Sequence, residues 1–259
     1  MANMIQKIKN DLTFEKVLST SMKAPGVKVN RASFLRKELI KYCSEDIIKK
    51  AIESNPAKAG ISREIINKIS LQVINYETNK VTALSAAASM TSSFAAPVAV
   101  GAATADITSY FVFILRAVQE LAYLYGFETF EFNDNEVDSE TMNMLLIFLG
   151  VMFGVQGATN ALNKLANTMA VHVAKSLANK ALTKGVVYPI VKEIATKIGI
   201  RMTKQIFADT VASAVPVAGA IVSGGLTYAM FKPCCMKLRK NLKGYNLSDP
   251  DYYLQFREE

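Results

Sequence analysis

Three observations predict an all-α fold. Apolar residues recur at i, i+3 and i+4 along most of the chain. No stretch of similar length alternates with a period of two, so a sheet is not expected. Seven Pro and no Trp stand among many Ala, Leu, Ile and Lys, a composition that favours helix. With 51% hydrophobic and 20% charged residues, the 259-residue chain has the material for a large core. The expectation is a single compact multi-helix domain over 1–259, with small-residue-rich apolar helices.

The first element is an amphipathic stripe in residues 3–18, formed by Met4, Ile5, Ile8, Leu12 and Phe14. A linker over 21–30 follows, broken at Pro25-Gly26. Asn30 caps a helix bearing Phe34, Leu35 and Leu39. Ser44 caps the next, with Glu45 and Asp46 in the first turn, where the helix dipole favours acids. Asn55-Pro56 and Gly60 end it, since the residue before proline avoids helical torsions. Ser62 then caps a longer helix, with Ile65, Ile66, Ile69, Val73 and Tyr76 expected to face inward. A second strong helix carries Ile107, Phe111, Ile114, Val118, Leu121 and Tyr125 and stops at Gly126.

Between Lys80 and Arg116 the chain runs 35 residues whose one charged side chain is Asp106. A carboxylate in such surroundings must be partnered, solvated or protonated. Its place ahead of the amphipathic helix predicts an N-terminal cap, with ligand binding as the second role. Tyr110 and Arg116 are its candidate companions. A catalytic role would require another polar group beside it.

An acidic loop over 128–140 separates the halves. Its Asn133, Asp134, Asn135, Glu136 and Asp138 lack the central glycine and closing glutamate of a calcium loop. A long helix is then expected, carrying a ladder of small residues at Gly150, Gly154, Ala158, Ala166, Ala170, Ala174 and Ala178. Such a row drifts by about 40° per step, so it must meet several neighbours or bend. The last apolar run, Thr210 to Phe231, holds Pro216, Gly219, Ser223 and Gly224. Its Pro-Val-Ala start and Leu226-Thr227-Tyr228 end echo Pro97-Val98-Ala99 and Ile107-Thr108-Ser109-Tyr110, a weak internal pseudo-repeat.

The +8 net charge is unevenly placed. Residues 1–127 sum to +6, residues 128–163 to −6, residues 164–243 to +11 and the tail to −3. Lysines set among aliphatic residues, without interleaved aromatics, suit an anionic membrane surface better than nucleic acid. The uncharged runs 81–105, 141–163 and 210–231 are long enough to span on paper. Serines, threonines and Pro97 make the first too polar, the third shares that defect, and the second has only a short strongly apolar centre. Peripheral association is therefore expected rather than spanning.

Met1 to Asp11 lacks the continuous apolar core of a secretory signal, and three Cys make no disulfide framework, which suits a reducing cytoplasm. Cys234-Cys235 is read as a packed pair, with acylation beside a membrane as the alternative. His172 has no metal-ligand spacing around it. No Walker loop, nucleophile elbow or dinucleotide fingerprint occurs, so no cofactor, metal or catalytic set is expected.

A wider likeness rests on specific strings: Pro25-Gly26, Arg31, Phe34-Leu35-Arg36, Leu39, Tyr42-Cys43, Ala51-Ile52 through Asn55-Pro56-Ala57 to Ala59-Gly60-Ile61, Val81-Thr82, Ala105-Asp106 with Tyr110, and Leu121-Ala122-Tyr123-Leu124-Tyr125-Gly126. With these the chain resembles the EcsC family of bacterial proteins over about residues 25–243, more loosely in the second half. One feature departs from that family. Ser89-Met90-Thr91-Ser92-Ser93-Phe94 stands where members usually have a Gly-x-Pro-Gly-Gly-like turn, so a sharp turn is not expected there. The resemblance implies membrane proximity near a transport system and no accepted catalytic activity.

The resulting expectation is a non-enzymatic protein at the inner face of the membrane, linked to transport or secretion. Its partner would be an anionic membrane surface or a membrane protein complex. The candidate contact residues are Asp106, Tyr110, Arg116, Gly150, Gly154, Gly219, Ser223 and Gly224. The alternative is a soluble interaction module that accompanies or neutralises a membrane protein or toxin.

Overall fold

Helix α5, Ala99–Leu124, is the axis around which the other helices of the computed structural model are arranged. The structure describes residues 14–92, 99–130, 139–171, 189–190, 193–194 and 230–256. The stripe before Phe14, most of the acidic loop, His172, Ala174, Ala178, the second arm of the pseudo-repeat, and Gly219, Ser223 and Gly224 lie outside the described residues. Among those described there is no strand, in agreement with the all-α expectation.

The first described helix, α1, spans Phe14–Lys23, so the break at Pro25-Gly26 is present but the linker begins later than position 21. Helix α2, Arg31–Leu39, starts as the sequence predicts. The Asn30 carboxamide oxygen accepts from the Ser33 amide at 2.8 Å. Helix α3 spans Glu45–Glu53 with Ser44 at its N-cap position, but the Ser44 side chain makes no capping bond, which corrects that part of the reading. Helix α4 runs Arg63–Ser92, its first turn bonded through Ser62 Oγ to the Ile65 amide at 3.3 Å.

Helices α4 and α1 lie along α5, and α2 and α6 also touch it. From Phe113 to Phe127 nearly every α5-side residue is buried, Val112 and Arg116 being the half-buried neighbours. A helix apolar all round belongs in the centre of a bundle. It ends in a Schellman motif, in which the Phe127 amide bonds Ala122 O and the Gly126 amide bonds Tyr123 O. Gly126 has φ +96°, and a Cβ there would lie 2.8 Å from Leu247 O. The stop expected from the sequence is thus also the point where the C-terminal segment closes over the bundle.

The long helix expected from Gly150 to Ala178 is two helices. α6, Ser139–Phe153, ends at Gly154 with φ +68°, and α7, Ala158–Ala170, folds back against it. The bend that the drifting ladder demanded is present. Two of its rungs then meet, because a Cβ on Gly150 would lie 2.7 Å from Ala158 Cβ and 2.8 Å from Ile190 Cγ2.

Helix α8, whose described part is 230–242, buries Phe231, Cys234, Cys235, Leu238 and Leu242. A 3-10 turn, Asn246–Ser248, leads to α9, Pro250–Leu254, capped by Asp249 with Pro250 in the first turn. Arg63 pairs with Asp249, and the Asn55 amide donates to the Tyr253 hydroxyl at 3.2 Å, tying the C-terminal segment to α4 and the α3–α4 connection. No helix among the described residues is long and apolar enough to cross a membrane.

Candidate functional site

Helix α4 carries two acids over its whole length, Glu64 in the first turn and Glu77. The apolar stripe of Ile66, Ile69 and Val73 continues with a step of four to Glu77, and not with a step of three to Tyr76. Tyr76 is therefore outside, 57% exposed, which corrects the expectation that it faces inward. Glu77 takes its place and is fully buried.

Facing it from α5 are Arg116 and Glu120, one turn apart. Arg116 Nη2 lies 3.1 Å from Glu120 Oε1 and 3.5 Å from Glu77 Oε1, so one guanidinium nitrogen serves both carboxylates. Its Nη1 donates to Gly26 O at 2.5 Å, fastening the α1–α2 connection to the same point. Among the described residues neither Glu77 oxygen has a hydrogen-bond donor, and the other cation beside it is Lys80 Nζ at 4.0 Å. Helix α2 contributes the Lys37–Glu38 pair at 2.9 Å.

Burial pushes the Glu120 carboxyl up to about 8, reinforced by the Glu77 charge and opposed by Arg116. Cys235, fully buried on α8, is also held well above the usual thiol range, first by burial and then by Cys234 and the two carboxylates. Gln119 closes the inner side. It accepts from the Val29 amide at 3.0 Å and donates to Val27 O at 2.8 Å.

The seam has an outer face. Lys80 Nζ lies 5.1 Å from the centre of the Tyr76 ring and 5.7 Å from that of Phe113, while Lys37 Nζ reaches the Tyr76 ring at 5.7 Å. These are cation–π distances. The turn after α2 lies over α4, with Lys68 Nζ 5.2 Å from the Tyr42 ring and the Tyr42 hydroxyl 3.3 Å from Gln72 Oε1. Ile40 and Leu84 are exposed at 60% and 52%, and Leu71 is also exposed. The exposed side of α4 from 68 to 84 reads Lys, Leu, Gln, Asn, Tyr, Asn, Lys, Ala, Leu and carries no acid, because Glu77 is turned inward.

The candidate contact residues that the structure describes do not converge. Asp106 is the eighth residue of α5, seven positions past Ala99, so it does not cap that helix; its side chain lies outside the described residues. Tyr110 packs edge-on against Phe231 at 5.9 Å and Phe111 at 6.2 Å. Six residues separate it from Arg116, about 120° around the helix, so the two serve different faces. Gly150 and Gly154 shape the α6–α7 turn, where a Cβ on Gly154 would come 2.7 Å from Lys237 Nζ. Cys234 and Cys235 are both buried, as a packed pair.

Among the described candidates Arg116 alone enters the charged seam. The sequence pattern does not mark Glu77, Glu120, Lys80 and Lys37 as a group, although two signals point to them. Arg116 and Glu120 stand at i, i+4, and an acid falls on the α4 stripe when the step is four.

Two other arginines are structural clips. Arg31 is buried and donates to the carbonyls of Ala51, Ile52 and Ser54 at the end of α3 and to Phe127 O after α5, at 2.6–3.2 Å. It borders an open groove of about 460 Å³ that also includes Asn55, Lys58, Glu128 and Leu247. Arg239 donates to Ser70 Oγ at 2.7 Å and to Asn67, joining α8 to α4. Lys237, Lys240 and Lys243 form the exposed edge of that helix and its end.

No family model, no curated protein and no solved structure matches the chain.

Proposed function

We propose that this chain is a non-enzymatic peripheral membrane protein that docks on anionic lipid through the acid-free face of α4 and the adjoining end of α2. The carrying observation is the composition of that face. Tyr76, Leu71, Leu84 and Ile40 are exposed beside Lys37, Lys41, Lys68 and Lys80, with Glu77 buried beneath them and the half-buried Glu38 paired to Lys37. An amphipathic ring and aliphatic side chains suit the headgroup boundary, and lysines around them suit phosphate. Each lysine near an anionic surface is worth about 1 kcal/mol. The resemblance to the EcsC family and the +8 net charge support the same reading. The basic residues of 164–243 would add to it where they share that side of the molecule.

Flotation with phosphatidylcholine vesicles, with and without phosphatidylserine, tests the proposal. Binding is expected only to the anionic vesicles and should weaken with salt. The double variant Lys41→Glu/Lys68→Glu should lose roughly tenfold or more in affinity, since two attractions become repulsions. Failure to bind either vesicle, or equal binding by this variant, would contradict it. A salt-resistant protein complex in place of vesicle binding would instead favour the interaction-module reading.

A further inference from the structure

Lys80 belongs to both the buried seam and the exposed face. Its ammonium stands between the Glu77 carboxylate at 4.0 Å and the rings of Tyr76 and Phe113 at 5.1 and 5.7 Å. Among the described residues Glu77 has no hydrogen bond, and the cations beside its charge are Lys80 and, at 3.5 Å, Arg116. Arg116 is in turn divided between Glu77 and Glu120. We propose that the seam is a proton-controlled switch for the Tyr76 face, in which a proton on Glu120 leaves Lys80 at the surface and its loss draws Lys80 inward.

The charges that face Glu120 are Lys37 and Glu38 from α2, Glu77 and Lys80 from α4, Arg116 on its own helix and the Cys235 thiol from α8. The connection after α1 contributes the Gly26 carbonyl to Arg116. With Glu120 protonated, Arg116 neutralises Glu77, and Lys80 remains free to rest on Tyr76. When Glu120 gives its proton to solvent, a second negative charge stands in the seam. Arg116, one turn away on the same helix, closes on Glu120, the shorter of its two contacts. Glu77 is left buried with Lys80 as its one compensating charge among the described residues, and an unpaired buried carboxylate is too costly to persist. Lys80 therefore moves in, and the docking face loses a positive charge. The titration falls where it can act, because the Glu120 carboxyl is pushed up to about 8. Proton uptake thus favours docking, in the direction set by an anionic surface, which concentrates protons and cations alike.

This inference rests on the membrane reading of the α4 face, and its test separates the two. The full chain is titrated with phosphatidylcholine–phosphatidylserine vesicles at low salt between about pH 6.5 and about pH 9.5, either side of the Glu120 value. Wild-type affinity should fall about fivefold across that range, the worth of one lysine at an anionic surface. Glu120→Gln, which mimics the protonated acid, should keep the low-pH affinity throughout. Lys80→Gln should show the weaker affinity at every pH. Wild-type binding that is present but flat with pH, or a Glu120→Gln protein that retains the fall, overturns the switch while leaving the docking face intact. A wild-type protein that binds at no pH overturns the docking face and the switch together. Circular dichroism of each variant at both pH values verifies that the folded chain is being compared.

Discussion

A guanidinium nitrogen shared by two buried carboxylates makes stability depend on pH in a definite direction. The folded state holds the Glu120 proton up to about 8, whereas the unfolded chain releases it near the ordinary value of 4.5. Between those two values the folded state binds more protons, so stability falls as pH rises through the window and does not fall further above it. Glu120→Gln removes this dependence. Its thermal midpoint should exceed that of the wild type at about pH 9 and approach it at about pH 5, with a difference at high pH on the order of a few kcal/mol. Parallel melting curves for the two proteins would show that Glu120 is not the titrating group. Arg31 presents the opposite case, a buried cation satisfied by carbonyls at the end of α3 and after α5. Replacing it by Met strands those acceptors and should cost about 3 kcal/mol in urea unfolding, with little dependence on pH between about 5 and 9.

At the scale of elements, the turns decide how the helices stack. Gly126 and Gly26 both have positive φ, but only Gly126 has backbone pressed against it, Leu247 O at 2.8 Å from a would-be Cβ. Gly26→Ala should cost about 1 kcal/mol from conformational strain alone. Gly126→Ala should cost clearly more, because it also pushes the C-terminal segment off the bundle; equal losses in denaturant titration would contradict this. The helix-forming pattern, the Asn30 cap, the Pro25-Gly26 break and the Gly126 stop are all readable from local chemistry, because each acts within one turn of chain. The division at Gly154 is less so. Small residues spaced by four continue smoothly through it in the sequence, and only the crowding of Gly150 against Ala158 shows why the chain folds back there. The apolar pattern of α4 misleads at one residue. An aromatic and an acid stand side by side at Tyr76 and Glu77, and hydrophobicity alone sends the ring inward. What reverses them is a partner far along the chain, Arg116, which compensates the carboxylate that a step of four from Val73 turns inward. The site was for that reason mostly invisible in the sequence, except for Arg116 itself.

For the whole molecule, the inward turn of Glu77 has a consequence on the outside. It leaves a long exposed face of α4 with lysines, Tyr76 and aliphatic side chains but no acid, and it links that face to the interior through Lys80. Charge and exposed apolar surface together are what an anionic bilayer recognises, and each alone is ordinary on a protein surface. The chain contains no tryptophan, so one introduced indole reports its own surroundings without background. Tyr76→Trp places it at the centre of the proposed docking face, and Leu254→Trp places it on α9, which is also exposed but belongs to the segment tied to Arg63 and Asn55. With phosphatidylcholine–phosphatidylserine vesicles, the account predicts a blue shift and quenching by brominated lipid for Tyr76→Trp and neither for Leu254→Trp. Emission from Tyr76→Trp that stays unshifted and unquenched at saturating anionic vesicles would contradict it.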